Sequence, residues 1–521
     1  MAAGAAGSNA LTGVVPVIVN NSTILAEVEN GTKTSHSRIT AGDSIGIIAA
    51  ADSDIYIIAG GLAAAGANAA GASINTAILK NDIQAHAGTW TELMTTATPA
   101  VQTSSNGIRI PNRNERRRGI IIFANGNEDV VMVSVSAGAG GSNAITGVIN
   151  TLVVRNTVKA TSREHVTISV KKAAGSSTND TDPLPGVYME AHDDTELLNL
   201  AGALSAAGSV GVGATVVALV FNKNVTAETA KEHKILAPGK VQVIADAKDN
   251  LWLLAVNFAA GGSVGVAGGA NALVFQNHVT SALGGTTGDM NNPVQSVKVS
   301  ANSDSSLYNL AAAAGIGGTA GVTAVAVITY FYNETLAYVK ANSRIYAAGA
   351  VDILADSKEF VTADAAGAAG SGTVSVGGTL DVVVTKVVTK AYTEKNVLIH
   401  AKGTTADISV KADDDYSLIA VVGTISASGV AAVAVSVLTT VSYNTVSAEI
   451  GEGNTINAGR DIIIQAKSDR LVQGYVFTAG AGQAGVSGSV MVILAGSLLT
   501  DDAHNVIYVT NNKAGKEYGA M

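Results

Sequence analysis

Cysteine is absent from this chain, which excludes a disulfide frame, a thiolate metal site and a cysteine nucleophile. Aromatic residues make up only 4% and charged residues only 14%, so a core built around Phe and Trp is not expected. Positive charge is scarce as well. A formal net charge of -9, with no sustained basic stripe, removes the electrostatic footprint that nucleic acid or an anionic membrane surface requires, and neither is expected as a partner. Met1-Ala2-Ala3-Gly4 runs directly into repeat-like sequence without a basic and then apolar leader, so the 521 residues are expected to be a segment of a larger protein.

Small residues fill the space that these absences leave. Gly occurs 57 times, and Ala, Val, Ser and Thr supply most of the rest. The uncharged runs 197–222 and 416–448 are long enough for a spanning helix, but Val210-Gly211-Val212-Gly213-Ala214 and Val264-Gly265-Val266-Ala267-Gly268 alternate with period two, which is strand chemistry. The runs also lack an aromatic belt and a Lys/Arg asymmetry at their ends, and no membrane-spanning segment is expected.

An internal repeat organises the whole chain. A strand of the form apolar-x-apolar-x-Ala recurs with its Ala at 49, 124, 191, 245, 301, 355, 412 and 466, at intervals of 75, 67, 54, 56, 54, 57 and 54 residues. A polar tract follows each Ala and reads as a turn, as in Asp246-Ala247-Lys248-Asp249-Asn250, Asp413-Asp414-Asp415 and Lys467-Ser468-Asp469. Seventeen residues past the Ala come Gly66, Gly141, Gly208, Gly262, Gly318, Gly372 and Gly429, with Gln483 in the last copy. A position that keeps taking Gly is either a bend with positive φ or a place where backbones approach closely. Thirty-two residues past the Ala stand Asn81, Asn156, Asn277, Asn333 and Asn444, with Lys223 and Val387 as departures.

Register never slips between the Ala and the Ala, or Ser281, at +36, so length variation falls in the return segment. Fixed units with one variable edge are the mark of a solenoid, in which each copy buries its apolar stripe on the next and insertions point outward. The expected fold is therefore all-β: a parallel β-helix, or β-solenoid, of about eight repeats of roughly 54–57 residues forming a single region over 1–521. A unit of that length suggests two coils per repeat, and stacked Asn residues suggest a ladder of amide-to-amide hydrogen bonds along the axis. The return runs 39 residues between Ala85 and Ala124 and 31 between Ala160 and Ala191 against a usual 18, placing outward insertions at about 88–119 and 161–186.

The Val-x-Gly-rich middle, the Asn-x-Val-x-Ala element and the valine strand ending in Ala resemble the repeat region of the leukotoxin-type filamentous adhesin family of fusobacteria and related anaerobes. The resemblance implies a right-handed β-helix fibre, exported by a type V route and displayed at or released from the bacterial outer membrane. It carries over no catalytic residue.

Chemistry is sparse. The histidines show no metal-ligand spacing, no glycine run ends in Gly-Lys-Ser/Thr, and no Gly-x-Ser-x-Gly elbow occurs, so no catalytic residue, metal site or cofactor is expected. His192-Asp193-Asp194 is assigned to the polar turn. The first insertion carries the one local anomaly, Trp90 with the basic cluster Arg113, Arg116, Arg117 and Arg118, which makes it the candidate contact for a cell-surface receptor or glycan. A charged tip that stays in water is the plainer account of the same residues. The expected function is a non-enzymatic structural and adhesive fibre, with self-association into fibres as a further expectation. A cytotoxin segment acting on host cells and a polysaccharide-active β-helix enzyme are the alternatives.

Overall fold

The structure, a computed structural model, describes residues 1–96, 107–111, 113, 115–171 and 184–496, together with the backbone of 499–500 and 506–507. Among these residues every regular element is a strand. Each unit supplies two long strands and one short one, as in Val241–Gly261, Val264–Leu283 and Thr286–Thr287. Equivalent strands of successive units join three sheets of ten, ten and eight strands that run the length of the stack. Within each of these sheets the pairing is parallel. The fold is a β-solenoid.

The register expected from the repeat holds throughout. Ala49 lies opposite Ala124, and the column continues through Ala191, Ala245, Ala301, Ala355 and Ala412 to Ala466. One unit is thus one coil, which corrects the expectation of two. The error traces to the polar tract after each Ala, which is not a turn. Asp246 to Asn250 continue the strand Val241–Gly261, and Asp413 to Asp415 continue Ile408–Ser428. Strands of about 20 residues span roughly 65 Å at ~3.3 Å per residue, so a coil of two long strands and one short one absorbs the whole repeat.

The recurrent glycines mark the corner between the first and second sheets. They do not have a left-handed φ. A Cβ added to Gly141, Gly208, Gly262, Gly318, Gly372 or Gly429 would overlap the carbonyl oxygen of the glycine one coil earlier, and one on Gly66 would overlap that of Gly7. Close backbone approach, not a bend, therefore selects Gly here. Behind the corner the two sheets converge. A Cβ on Gly211, Gly265 or Gly321 would meet the carbonyl oxygen of Ala260, Ile316 or Gly370 on the facing strand, so this side of the coil is a thin blade lined with small residues.

Away from the blade the interior holds two apolar clusters. One gathers the start of the first sheet, the end of the second and the third sheet, with Val243, Val279 and Ile235 among its members. The other fills the middle of the two long sheets, where Phe221, Phe275 and Phe331 stack. Polar side chains separate the two clusters.

Candidate functional site

That polar boundary is a sealed seam. On the second sheet Asn81, Asn156, Lys223, Asn277, Asn333, Val387 and Asn444 stand opposite one another in that order. All seven are buried. Facing them from the first sheet are residues of the supposed turn, whose inward alternation brings Glu128, Asp193, Asp249, Ser303, Glu359 and Asp414 inside. The Asn amides bond across the interior, not along the axis. Asn81 Nδ2 donates to Glu128 Oε1 at 3.1 Å, Asn156 to Asp193 Oδ2 at 3.5 Å and Asn277 to Ser303 Oγ at 3.1 Å. Asn333 donates to Glu359 and Asn444 to Asp414. An amide ladder does not form because carboxyl and hydroxyl oxygens across the seam take the Asn donors, and because Lys223 and Val387 interrupt the column.

Lys223 is the centre of the seam. Its Nζ lies 3.1 Å from Asp193 Oδ2 and 2.7 Å from Asp249 Oδ1, with all three side chains inaccessible to solvent. Burial is the largest influence on the ammonium and opposes its charge, but Asp193, Asp249 and Glu128 together outweigh it and hold its pKa above the ordinary lysine value. Burial pushes Asp249 up to about 6 although Lys223 draws it down, so the pair is ionised at neutral pH. Burial, reinforced by the charge of Asp193, drives the Glu128 carboxyl well above the ordinary carboxylate range. Three coils on, Val387 takes the lysine's place, and there burial and the neighbouring Asp414 push Glu359 well above the ordinary range. One segment of the seam thus centres on an ion pair and another on acids that burial shifts toward the neutral form. A coil slipped out of register would leave the Lys223 ammonium buried without its carboxylates.

On the outside the basic cluster does not protrude. Ile108–Arg109 and Arg116–Arg117 form an antiparallel ribbon, and Ile110 packs with Ile121 and Phe123 on the outer face of the first sheet. Arg117 pairs with Glu190, donates to Gln242 Oε1 at 3.3 Å, and lies over the Tyr188 ring at 4.6 Å. Arg118 reaches Asp43 at 2.9 Å, Arg116 donates to the Gly107 carbonyl at 3.0 Å, and Arg113 Nη2 lies 2.7 Å from His192 Nδ1. The cluster is a clasp across successive coils, since outward carboxylates such as Glu190 and Asp246 wait at the start of the strands. This corrects the expectation of a free charged tip.

Trp90 is not brought to the arginines. It occupies the turn between the second and third sheets at φ 55°, stacked on the His165 ring of the next coil at 3.9 Å and tilted against His36 at 5.6 Å. The insertion limits contract as well. Thr91–Thr95, Asn143–Ser162 and Thr167–Ser169 belong to regular coils, and parts of both insertions, 97–106 with 112 and 114, and 172–183, lie outside the described residues.

Beside the clasp runs an acidic trough of about 290 Å³ whose lining includes Asp52, Asp54, Asp129, Asp194, Glu196 and Lys248. Among the described residues no three His, Asp or Glu converge as a metal site, and no helix is long and apolar enough to cross a membrane. His192, Asp193 and Asp194, expected in a turn, are strand residues pointing alternately outward and inward, with His192 under the clasp. Sequence reasoning missed the ionic seam, whose one signal was Lys223 breaking an Asn column opposite Asp193 and Asp249. Compared with family models, curated proteins and solved structures, the chain matches none.

Proposed function

We propose that this chain is a structural and adhesive fibre segment of a large bacterial surface or secreted protein, exported by a type V route and acting without catalysis. The observation that carries the reading is the position of the irregularity. Coils stack in one register from Ala49 to Ala466, while the long insertions leave the stack at one corner, between the third and first sheets. A rigid stack with variable segments on one edge suits a spacer that presents contact residues. The bacterial surface setting rests on the resemblance of the repeat residues alone. The contact surface is the clasped insertion with the acidic trough beside it, and its ligand is a cell-surface receptor or glycan.

The test shortens both returns to the common 18 residues and measures attachment to host and bacterial cells alongside far-UV circular dichroism. Folding is expected to survive and attachment to fall to background. Attachment that survives the trimming assigns adhesion to the coil surface and refutes this assignment.

A further inference from the structure

The charged residues are not spread around the coil. Residues 55–79, 130–154, 197–221, 251–275, 307–331, 361–385, 418–442 and 472–496 form the blade in eight successive coils, and among them only Asp364 and Asp381 carry charge. Asp381 faces inward. The outer surface of the blade is apolar on the second sheet and, apart from Asp364, on the first. Leu204, Val256, Ile316 and Ile425 stand 45–50% exposed on the first sheet, while Ile145 and Ile328 are exposed at 56% and 48% on the second. Trp252, stacked on Tyr308 at 3.8 Å, lines the border where this surface meets the charged half.

We propose that the blade is a self-association surface, with the outer face of its first sheet lying against the same face of a second copy of this chain. Parallel sheets are normally covered on both faces, and the run 251–261, at the end of the first-sheet strand Val241–Gly261, carries the two-sided apolar pattern expected of a covered strand. About eleven residues at ~3.3 Å and eight coils at ~4.8 Å give the first-sheet face roughly 1,400 Å². That exceeds the ~800 Å² per partner of a stable interface and the ~300–600 Å² patch usual on a monomer. A second copy has the required length and pitch, and in eight coils this face carries one charged residue, Asp364, whose carboxyl burial already pushes above the ordinary range. The outward columns also mix Ala and Gly with Leu, Ile and Phe, which permits the close approach of sheet on sheet that a lipid surface would not demand. The second sheet's face remains open to a further copy, so pairing extends to bundles.

Pairing is independent of the ligand assigned to the insertion, and either can fail without the other. The experiment compares the intact chain with Leu204→Glu/Val256→Glu/Ile316→Glu by sedimentation velocity at micromolar concentration. The intact chain is expected to sediment as a dimer or larger, and the variant as a monomer with the same circular dichroism spectrum. A parallel test needs no charge inside the face: in this cysteine-free chain Val256→Cys should oxidise to a covalent dimer at least tenfold faster than Lys358→Cys on the charged half. Monomeric behaviour of the intact chain, association that survives the triple substitution, equal cross-linking at the two sites, or uptake of the monomer into phosphatidylcholine vesicles would each overturn the proposal.

Discussion

Replacing Lys223 by Met removes the cation between Asp193 and Asp249 while keeping an unbranched side chain of similar volume. The change leaves Asp193 and Asp249, both inaccessible to solvent, beside Glu128 without a countercharge. Breaking a buried ion pair from one side costs about 3–5 kcal/mol at neutral pH. The carboxylates escape by taking up protons, and each pH unit of acidification reduces that cost by about 1.4 kcal/mol per group. The deficit should therefore be near its full value at pH 7.5 and smaller by about 2 kcal/mol at pH 6, below which Asp249 of the intact protein, held at about 6, takes up its own proton and the difference levels off. Lys223→Asn, which restores the repeat residue, should show the same recovery. Urea unfolding with hydrogen exchange over the strands Gly186–Ala207 and Val241–Gly261 reads the effect. A loss below about 1 kcal/mol at pH 7.5, or one that does not change with pH, refutes the ionic seam.

The other predictions follow from the same geometry. Gly262→Ala drives a Cβ into the Gly208 carbonyl and should destabilise by several kcal/mol, whereas Gly147→Ala meets nothing within 4 Å and should leave the melting midpoint within a degree or two of wild type. Asn333→Ala deprives the buried Glu359 of its donor and should cost about 1–3 kcal/mol in urea unfolding, against an unchanged midpoint if the amide faced water. Asp249, Glu128, Glu359 and Asp381 all have pKa values raised chiefly by burial, so the stability they contribute is fully present below the ordinary carboxylate range and is lost as pH rises through the folded values. Buried His233, held down at about 3, works the other way below pH 6.5, so the comparison is made in His233→Gln, whose thermal midpoint should be higher at pH 5 than at pH 8; a fall toward acid in that variant would contradict these assignments.

What could be read in the sequence was what apolar spacing encodes. The Ala49 to Ala466 column, the glycine corner and the variable edge are all fixed by side chains whose burial follows from hydropathy. What escaped was the part of the strand whose inward positions are polar. Asp246 to Asn250 looks like a turn because Ala247 and Asp249, which face inward, carry no apolar signal, and the extra coil per repeat followed from that mistake. The arginines escaped for a related reason. Composition separates a free charged tip from a clasp only when the outward carboxylates of the neighbouring coils, Glu190 and Asp246, are known to lie beneath it.

The central claim, one coil per repeat in unbroken parallel register, is tested most directly by an electron–electron distance. Asp129, Glu196, Asn250, Ser306, Phe360 and Ser417 stand in one outward column, each opposite the next. Spin labels on Asp129→Cys and Ser417→Cys, in a chain with no other cysteine and diluted into unlabelled protein, are separated by five coil steps of ~4.8 Å. A narrow distribution centred at about 24 Å is the expected result, and one centred near 48 Å, the spacing of two coils per repeat, would contradict the account.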